Sequence, residues 1–402
     1  MDQRLGEVMT RAEYEAVMAP IEEALTLPAQ AYTDDHWFAL EVERIFRRKW
    51  MAVLFDCVVP DVGDVHPFKV FGMPLVAVRG ADGKLRVFHN ICPYDGSLAV
   101  SSDLKRQSEI EVYYHGWRYD LGGRLIDAPY WSGEQISGPP QLNGHSGDLV
   151  EVRSVVRIGT LFINLDGKAQ DIDDWLAPLK RTVAGDYAID RLKPALDGEG
   201  KPLVQTRIVK ANWKTYQENA SINILHEAST HELYRKSPEV PRVNSNRNPA
   251  FELFMDDCLL AFGHRRKKSA NTYKRIDMPS AGHDIQRQPE WGYFTTIFPN
   301  FNVPLLDTFM KVNIAIPVSP GETHLQHLRF YSPEALASEN FQAEEKAIQG
   351  LFDTIHHEDQ LAIEAVQQAR GSPVWRQHFY APFWDALHHR FNQMVMQAMV
   401  VE

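Results

Sequence analysis

The spacing of hydrophobic and polar positions changes character twice along the chain. Over the first 45 residues the apolar positions recur at helical intervals. Asp34 or Asp35 is the expected N-cap of a helix carrying Trp37, Leu40, Glu41, Val42, Ile45 and Phe46. From about residue 50 the apolar runs become short and are broken by Gly and Pro, as in MAVLFDCVV, PFKVF and PLVAV. LVAVRGADGKLRVF and WRYDLGGRLIDAP read as hairpins turning at Gly, and VVRIGTLFINL (155–165) reads as one further strand. DIDDWLAPLK (171–180) then opens a helical stretch. Strand-like runs follow at 202–211, 251–263, 291–299, 307–318 and 322–331. A long helix is predicted from Pro333 to about Arg370, and another over 380–400. Strands grouped together with helices at the ends predict an α+β fold. The expected segments are a helical stretch over 1–48 packing on the last domain, a β domain over 49–167, and a domain over 168–402.

Composition narrows the function classes. A chain of 402 residues with 44% hydrophobic and 24% charged residues has ample material for folded domains. Its net charge of −11 speaks against nucleic-acid or anionic-membrane partners, which need a basic face. Three cysteines, Cys57, Cys92 and Cys258, cannot build a disulfide framework, so a reducing compartment is expected. The N-terminal MDQRLGEVMTRAEYEAVMAP lacks the apolar region of a signal peptide, and no uninterrupted apolar run is long enough to span a membrane. A cytoplasmic protein without a membrane partner is expected.

Candidate chemistry lies in NWKTYQENASINILHEASTHELY (212–234). His226 and His231 are five residues apart, a step that carries a side chain well around a regular helix. For both imidazoles to converge the helix must end or distort, and Ser229 and Thr230 are the places for it. Two imidazoles and one carboxylate form the facial triad of non-haem Fe(II) enzymes. The segment DTIHHEDQLAIEAVQQA (353–369) offers His356, His357, Glu358 and Asp359 on a helix. In a chain with 16 His, such a pair is also unexceptional, and a helix carrying His and acids is ordinarily a solvated face. Taken alone, these residues leave both readings open.

The order of features favours the metal. A β unit holding FHNICPYDG and VYYHGWRYDLGGRL, then NWK, EN and two histidines, then ED and EAVQ, resembles the large (α) subunits of Rieske-type ring-hydroxylating oxygenases. The resemblance spans 35–390. It implies a Rieske β domain, a helix-grip-like catalytic domain and a head-to-tail trimer. It places His226, His231 and Asp359 on the iron-ligand positions, and replacing Glu358 with Ala is then expected to be mild by comparison with losing a ligand. Asn219, in the EN pair, is implied near the iron as a weak ligand or hydrogen-bond donor, or else as an ordinary helix amide.

The chain departs from that family at the cluster. The family's motif is Cys-x-His, about seventeen residues, then Cys-x-x-His. Here Cys92 and His115 stand at the outer positions, while Tyr94 and Val112 replace the inner His and Cys. A Rieske centre needs two thiolates on one iron and two imidazoles on the other. This chain is therefore expected to carry no [2Fe–2S] cluster, with Cys57 a buried apolar residue rather than a substitute ligand. Tyr113, Tyr114 and Trp117 are expected to fill the former cluster space, and His115 to be a hydrogen-bonded interface residue. The family's acidic bridge between the two centres, three positions before the first iron histidine, is here Asn223. An amide hydrogen-bonds but carries no charge.

Three readings follow. The chain is a catalytic subunit receiving electrons from a cluster-bearing homologous subunit served by a ferredoxin or reductase, in a trimer or hexamer. Alternatively, its substrate supplies all the electrons, or it is a non-catalytic structural subunit. The run HRRKK (264–268), with Lys274 and Arg275, is a solvated loop or a docking patch for an acidic ferredoxin. The aromatic stretch PEWGYFTTIFPNFNVPLL (289–306) is mostly core, but in this fold it also lines the pocket, favouring a small apolar or aromatic substrate with O₂ as co-substrate.

Overall fold

Asp34 caps the helix that Trp37 anchors, its side chain accepting the Trp37 backbone N–H at 2.7 Å. This is one detail of a computed structural model that describes residues 2–401 apart from 136, 236–241, 244–245 and 266–276. The chain forms two units, residues 50–169 and the combination of 1–49 with 170–402. No helix among the described residues is long and apolar enough to cross a membrane.

The smaller unit is all β. Its strands are β1 (Met51–Phe55), β2 (Val65–Val70), β3 (Met73–Arg79), β4 (Leu85–His89), β5 (Glu109–Glu111), β6 (Arg118–Asp120), β7 (Leu125–Asp127), β8 (Glu151–Arg157) and β9 (Thr160–Asn164). They build an antiparallel sheet in the order β1-β9-β8-β4-β3-β2 and a three-stranded sheet β5-β6-β7. The expected single strand over 155–165 is two strands. Ile158 and Gly159 both take positive φ, 51° and 63°, and turn the chain between Arg157 and Thr160. A β-branched residue in that conformation is unusual, so the run gave no turn signal.

The larger unit begins with four short helices: α1 (Asp2–Gly6), α2 (Arg11–Met18), α3 (Gln30–Thr33) and α4 (Asp35–Glu41), the last running into a π-helical turn over Val42–Phe46. After α5 (Ile172–Val183) come β10 (Lys193–Pro194) and β11 (Gln205–Val209), then α6 (Trp213–Ala220), α7 (Glu227–Thr230) and α8 (Glu232–Arg235). The remaining strands are β12 (Glu252–Met255), β13 (Leu259–Arg265), β14 (Trp291–Ile297), β15 (Phe301–Asn302), β16 (Met310–Ser319) and β17 (Glu322–Tyr331). They form an antiparallel sheet ordered β10-β17-β16-β15-β14-β13-β12, with β11 also pairing β17. Helices α9 (Pro333–Leu336), α10 (Phe341–Arg370) and α11 (Ala386–Val400) end the chain.

Two helix boundaries differ from expectation. The helix from Pro333 breaks after Leu336, where Ser338 Oγ accepts the Asn340 backbone N–H at 3.4 Å in place of a helical bond. The last helix starts at Ala386 rather than 380, because Pro382 disfavours helix before it and Asp385 accepts the Ala381 N–H at 2.8 Å. Along α10, Phe341, Glu345, Ile348, Ile355 and Ile363 are buried at intervals of four, three, seven and eight residues, so one face of the helix packs inward. Ile363 joins Val209, Ala211, Tyr216, Ala315 and Leu325 in a cluster tying α10, α6 and the sheet together. Each fully buried side chain of this kind contributes about 1.5–3 kcal/mol.

Candidate metal centre

The stretch NWK holds the start of α6. Asn212 is its N-cap, accepting the Lys214 N–H at 3.0 Å. Trp213 Nε1 donates to Glu41 Oε2 at 2.8 Å, and Lys214 Nζ to Glu41 Oε1 at 2.5 Å. Trp37 Nε1 donates to the same carboxylate at 3.0 Å. Glu41 and Lys214 are both fully buried. Burial raises the pKa of the one and lowers that of the other. A buried pair of this kind survives because its hydrogen-bonding capacity is used up.

Beyond α6 the chain turns at Ser221 and enters α7, with His226 in the N-cap position. The helix lasts only to Thr230, and His231 is extended, with φ −94° and ψ 117°. That change of backbone turns the two rings towards a common point, their centroids 5.2 Å apart. Asp359 reaches the same point from α10: its Oδ1 lies 3.4 Å from His226 Nε2 and 3.4 Å from His231 Nε2. Donor atoms of the three residues all lie within 4.8 Å of one another. This donor set, two imidazoles and a carboxylate, fits a mononuclear Fe(II).

The far side of each ring is held. His226 Nδ1 lies 2.5 Å from the Asn223 carbonyl oxygen, and Asn223 Oδ1 accepts the His226 backbone N–H at 3.1 Å. His231 Nδ1 is 3.0 Å from Glu358 Oε2. Both contacts place the ring proton on Nδ1 and leave the Nε2 lone pair towards Asp359. Asn219 Nδ2 donates to Asp359 Oδ1 at 3.0 Å. Burial alone would lower the His226 pKa, but the Asp359 carboxylate beside it raises it. In return, the two histidines and Asn219 hold the Asp359 carboxyl below its usual range against its burial. Metal binding discharges this coupling, since a ligating imidazole must be neutral.

Glu358, expected to be milder to lose than a ligand, lies behind the His231 ring rather than among the three converging donors. Its signal in the sequence was its place beside Asp359. Sequence reading also missed Glu227 and Arg242, a buried bidentate pair at 2.8 and 3.1 Å that pins α7. The cavity at the triad is lined by Phe262, Phe294, Leu306, Leu325 and Phe352, with polar Lys311, Asn313, His327 and His356. Phe294, Pro304 and Leu306 of the aromatic stretch reach it. Tyr293, Ile297, Phe301 and Val303 from the same stretch are buried. Of the basic run, 266–268, 274 and 275 lie outside the described residues.

The β unit holds the second group of interest. Cys92 is buried, its Sγ 3.2 Å from Tyr119 Oη. Donor atoms of Cys92, Asp95 and His115 lie within 4.8 Å of one another. His115 Nε2 is 3.4 Å from Asp95 Oδ1. Val112 packs, with no exposure, in an apolar cluster with Ile110, Trp117, Tyr119 and Phe88. Tyr94 stacks on Trp117 with ring centroids 5.1 Å apart. The four donors that a [2Fe–2S] cluster needs from this frame are not present, since a valine offers only carbon. Two expectations are corrected. Tyr113 and Tyr114 fill no core, being 98% and 78% exposed, whereas Trp117 is buried. Cys57 is half-buried, and burial pushes its thiol up to about 12.

Comparison with known proteins places this arrangement. Residues 180–400 match the family described as the ring hydroxylating alpha subunit (catalytic domain), and residues 49–138 match the Rieske [2Fe-2S] domain. The carnitine monooxygenase oxygenase subunit of Escherichia coli (strain K12) is 27% identical over 356 residues, 88% of this chain and 87% of that one. The 2-aminobenzenesulfonate 2,3-dioxygenase subunit alpha of Alcaligenes sp. is 27% identical over 304 residues, 75% of this chain and 73% of that one. A solved quaternary ammonium Rieske monooxygenase superposes with a TM-score of 0.76 at 21% identity, over 96% of this chain and 98% of that one. Members of this family use a mononuclear iron and a Rieske [2Fe–2S] centre. With a Rieske domain followed by an α+β catalytic domain, the chain belongs to the ring-hydroxylating Rieske oxygenase α subunits and is an oxidoreductase of that non-haem iron class.

Proposed function

We propose that this chain is the catalytic subunit of a mixed oxygenase. It binds one Fe(II) through His226, His231 and Asp359, carries no [2Fe–2S] cluster of its own, and takes electrons from the Rieske centre of a homologous partner subunit. The observation that carries this reading is the contrast between the two sites. Every donor of the triad is present and held from behind, while the Rieske frame keeps two of its four ligands. Iron bound at the triad supplies activation of O₂, and hydroxylation of a C–H bond then needs two electrons from outside the substrate. The chain's own part is positional. Asn223 and Glu358 keep each Nδ1 protonated, Asn219 steadies Asp359, and Phe262, Phe294 and Phe352 give a small organic substrate an apolar, water-poor seat. Asn223 stands where the family bridges its two centres, and we assign it the uncharged hydrogen-bonding link to the partner. A ferredoxin or reductase then serves that partner, in a trimer or hexamer held by head-to-tail contacts. The three free cysteines accord with a reducing, cytoplasmic setting.

Metal and sulfide analysis of the purified chain tests this directly. One iron and no acid-labile sulfide per chain is expected, without the visible absorption of a Rieske centre. Two additional irons with two sulfides would refute the cluster-free reading. Turnover of the isolated chain with O₂ and substrate alone would replace the partner's electrons with the substrate's.

A further inference from the structure

A polar, incompletely bonded group of side chains forms part of the cavity wall. Lys311 and Asn313 alternate on β16, and His327 faces Asn313 across the β16–β17 pair. His356 comes from α10. Lys311 and His327 are 5% and 4% exposed. Lys311 Nζ is hydrogen-bonded to His356 Nε2 and lies 4.8 Å from the centre of the Phe352 ring. The His327 and His356 rings stack with centroids 4.8 Å apart. His327 Nδ1 is 2.7 Å from Asn313 Oδ1. The other nitrogen of each ring, His327 Nε2 and His356 Nδ1, is buried without a partner. Among the described residues no carboxylate forms an ion pair with Lys311, whereas the neighbouring Arg207 and Arg329 pair with Asp353 and Glu345. Burial, and then the nearby guanidinium of Arg329, push the Lys311 ammonium well down.

We infer that Lys311, His356 and His327 form a subsite for the carboxylate of the substrate, which is therefore a small organic acid. The inference rests on the reading of this cavity as the substrate site. The hydrogen-bond inventory fits an acceptor with negative charge. A carboxylate in place favours Lys311 as an ammonium donating to His356 Nε2, which puts the imidazole proton on the orphan Nδ1, a donor for the anion. Lys311 keeps N–H groups beyond the one given to His356. His327 Nε2 donates once it takes up a proton, which an anion in contact with it favours. The only carboxylates lining the cavity are Asp359, assigned to iron, and Glu227, already paired with Arg242. Burial holds Lys311, His327 and His356 towards their neutral forms, and an anion seated against them favours the charged ones, so the wall takes an anion together with the protons it draws in.

The geometry also limits the length of that acid. His356 precedes Asp359 by three residues on α10, so the two side chains rise from neighbouring positions on one helix face, about 5–6 Å apart at Cβ. A molecule seated with its carboxylate on this wall presents to the metal a carbon only a few bonds away. Its remaining atoms meet Phe262, Phe294, Leu306 and Leu325.

The test is calorimetric titration of the Fe(II)-loaded chain, without O₂, with acetate, butyrate and benzoate, each beside its primary amide. At least one carboxylate is expected to bind about 10- to 100-fold more tightly than its amide, the range for a hydrogen bond to a charged group. Lys311→Gln and, separately, His356→Leu should erase that preference while leaving amide binding in place. Circular dichroism and melting identify any variant that fails to fold, and the other variant then decides. If every carboxylate binds no better than its amide, or both folded variants keep the preference, the subsite is refuted and the orphan nitrogens hold water only. Repeating the titration on the His226→Ala chain separates this result from the oxygenase reading. Carboxylate preference that persists in His226→Ala leaves the subsite standing whatever becomes of the iron, and a wild-type chain that fails to bind Fe(II) would remove the proposed chemistry alone.

Discussion

Nδ1 of His231 lies 3.0 Å from Glu358 Oε2, and this contact decides which ring nitrogen faces Asp359. An imidazole freed from such a partner samples both tautomers and more than one ring angle. Glu358→Ala should therefore weaken Fe(II) binding by about 10- to 100-fold while leaving the ligands in place, whereas His226→Ala or Asp359→Ala should abolish it. Competition with a fluorescent chelator measures both. A Glu358→Ala chain with wild-type affinity would show that the contact does not orient the ring. His226, His231 and Asp359 were expected together from their order in the chain, and their donor atoms converge. The place of Glu358 was not, because adjacency on a helix does not reveal which of two neighbouring carboxylates turns its oxygens to the metal position and which reaches behind a ring. Lys311 and His327 were hidden for a related reason, since they meet His356 only through strand register.

At the scale of elements, α3, α6, α10 and α11 meet at one buried carboxylate. Glu218 of α6 accepts from Arg370 Nη2 at 2.6 Å and from Tyr32 Oη at 2.5 Å, and His388 Nε2 lies 3.3 Å away. Burial raises its pKa, but the charges of Arg370 and His388 outweigh that and hold it at about 2. In the unfolded chain a glutamate titrates near 4.3, roughly. Between these values the unfolded state binds more protons than the folded one, so stability falls as the pH falls. The contribution is fully present above the unfolded value and is lost as the pH drops through about 2. Denaturant titrations between those limits should show wild type losing on the order of a few kcal/mol more than Glu218→Gln. Parallel curves would place the stabilisation elsewhere. The elements that meet here were largely visible as periodic runs. The hairpin turn at Ile158, the break at Ser338–Asn340 and the late start of α11 were not, because each depends on local backbone bonding that apolar spacing does not register.

For the whole molecule, Asn223 is where the proposed assembly can be interrogated. Its side chain already accepts the His226 N–H and its carbonyl lies against the same ring, so a replacement acts both on the iron histidine and on any link to a partner. Aspartate keeps the acceptor that caps His226, whereas leucine removes it. Mixed with a cluster-bearing homologue, Asn223→Asp should turn over as fast as wild type or faster. Asn223→Leu should slow turnover far more than it lowers iron content, measured on the same samples. Equal loss of iron and turnover would confine Asn223 to supporting His226. Activity of the mixed complex that survives His226→Ala in this chain would leave the chain a structural role. The two-unit architecture and its order were legible in the sequence because the motifs NWK, EN and ED occupy structural positions as well as chemical ones. NWK turned out to be the anchor of Glu41, a role that no motif states.

Val112 is buried in one apolar cluster with Val76, Val78, Phe88, Ile110 and Trp117. A domain stapled by a metal cluster is complete only after the cluster arrives, and its folding waits on delivery. If this chain carries no cluster, as we propose, the same frame closes on apolar contacts alone. In a cell short of iron or sulfide, such a subunit would accumulate folded while its cluster-bearing counterparts waited for their inorganic parts. The number of working electron donors, rather than the number of oxygen-activating chains, would then set how much enzyme exists.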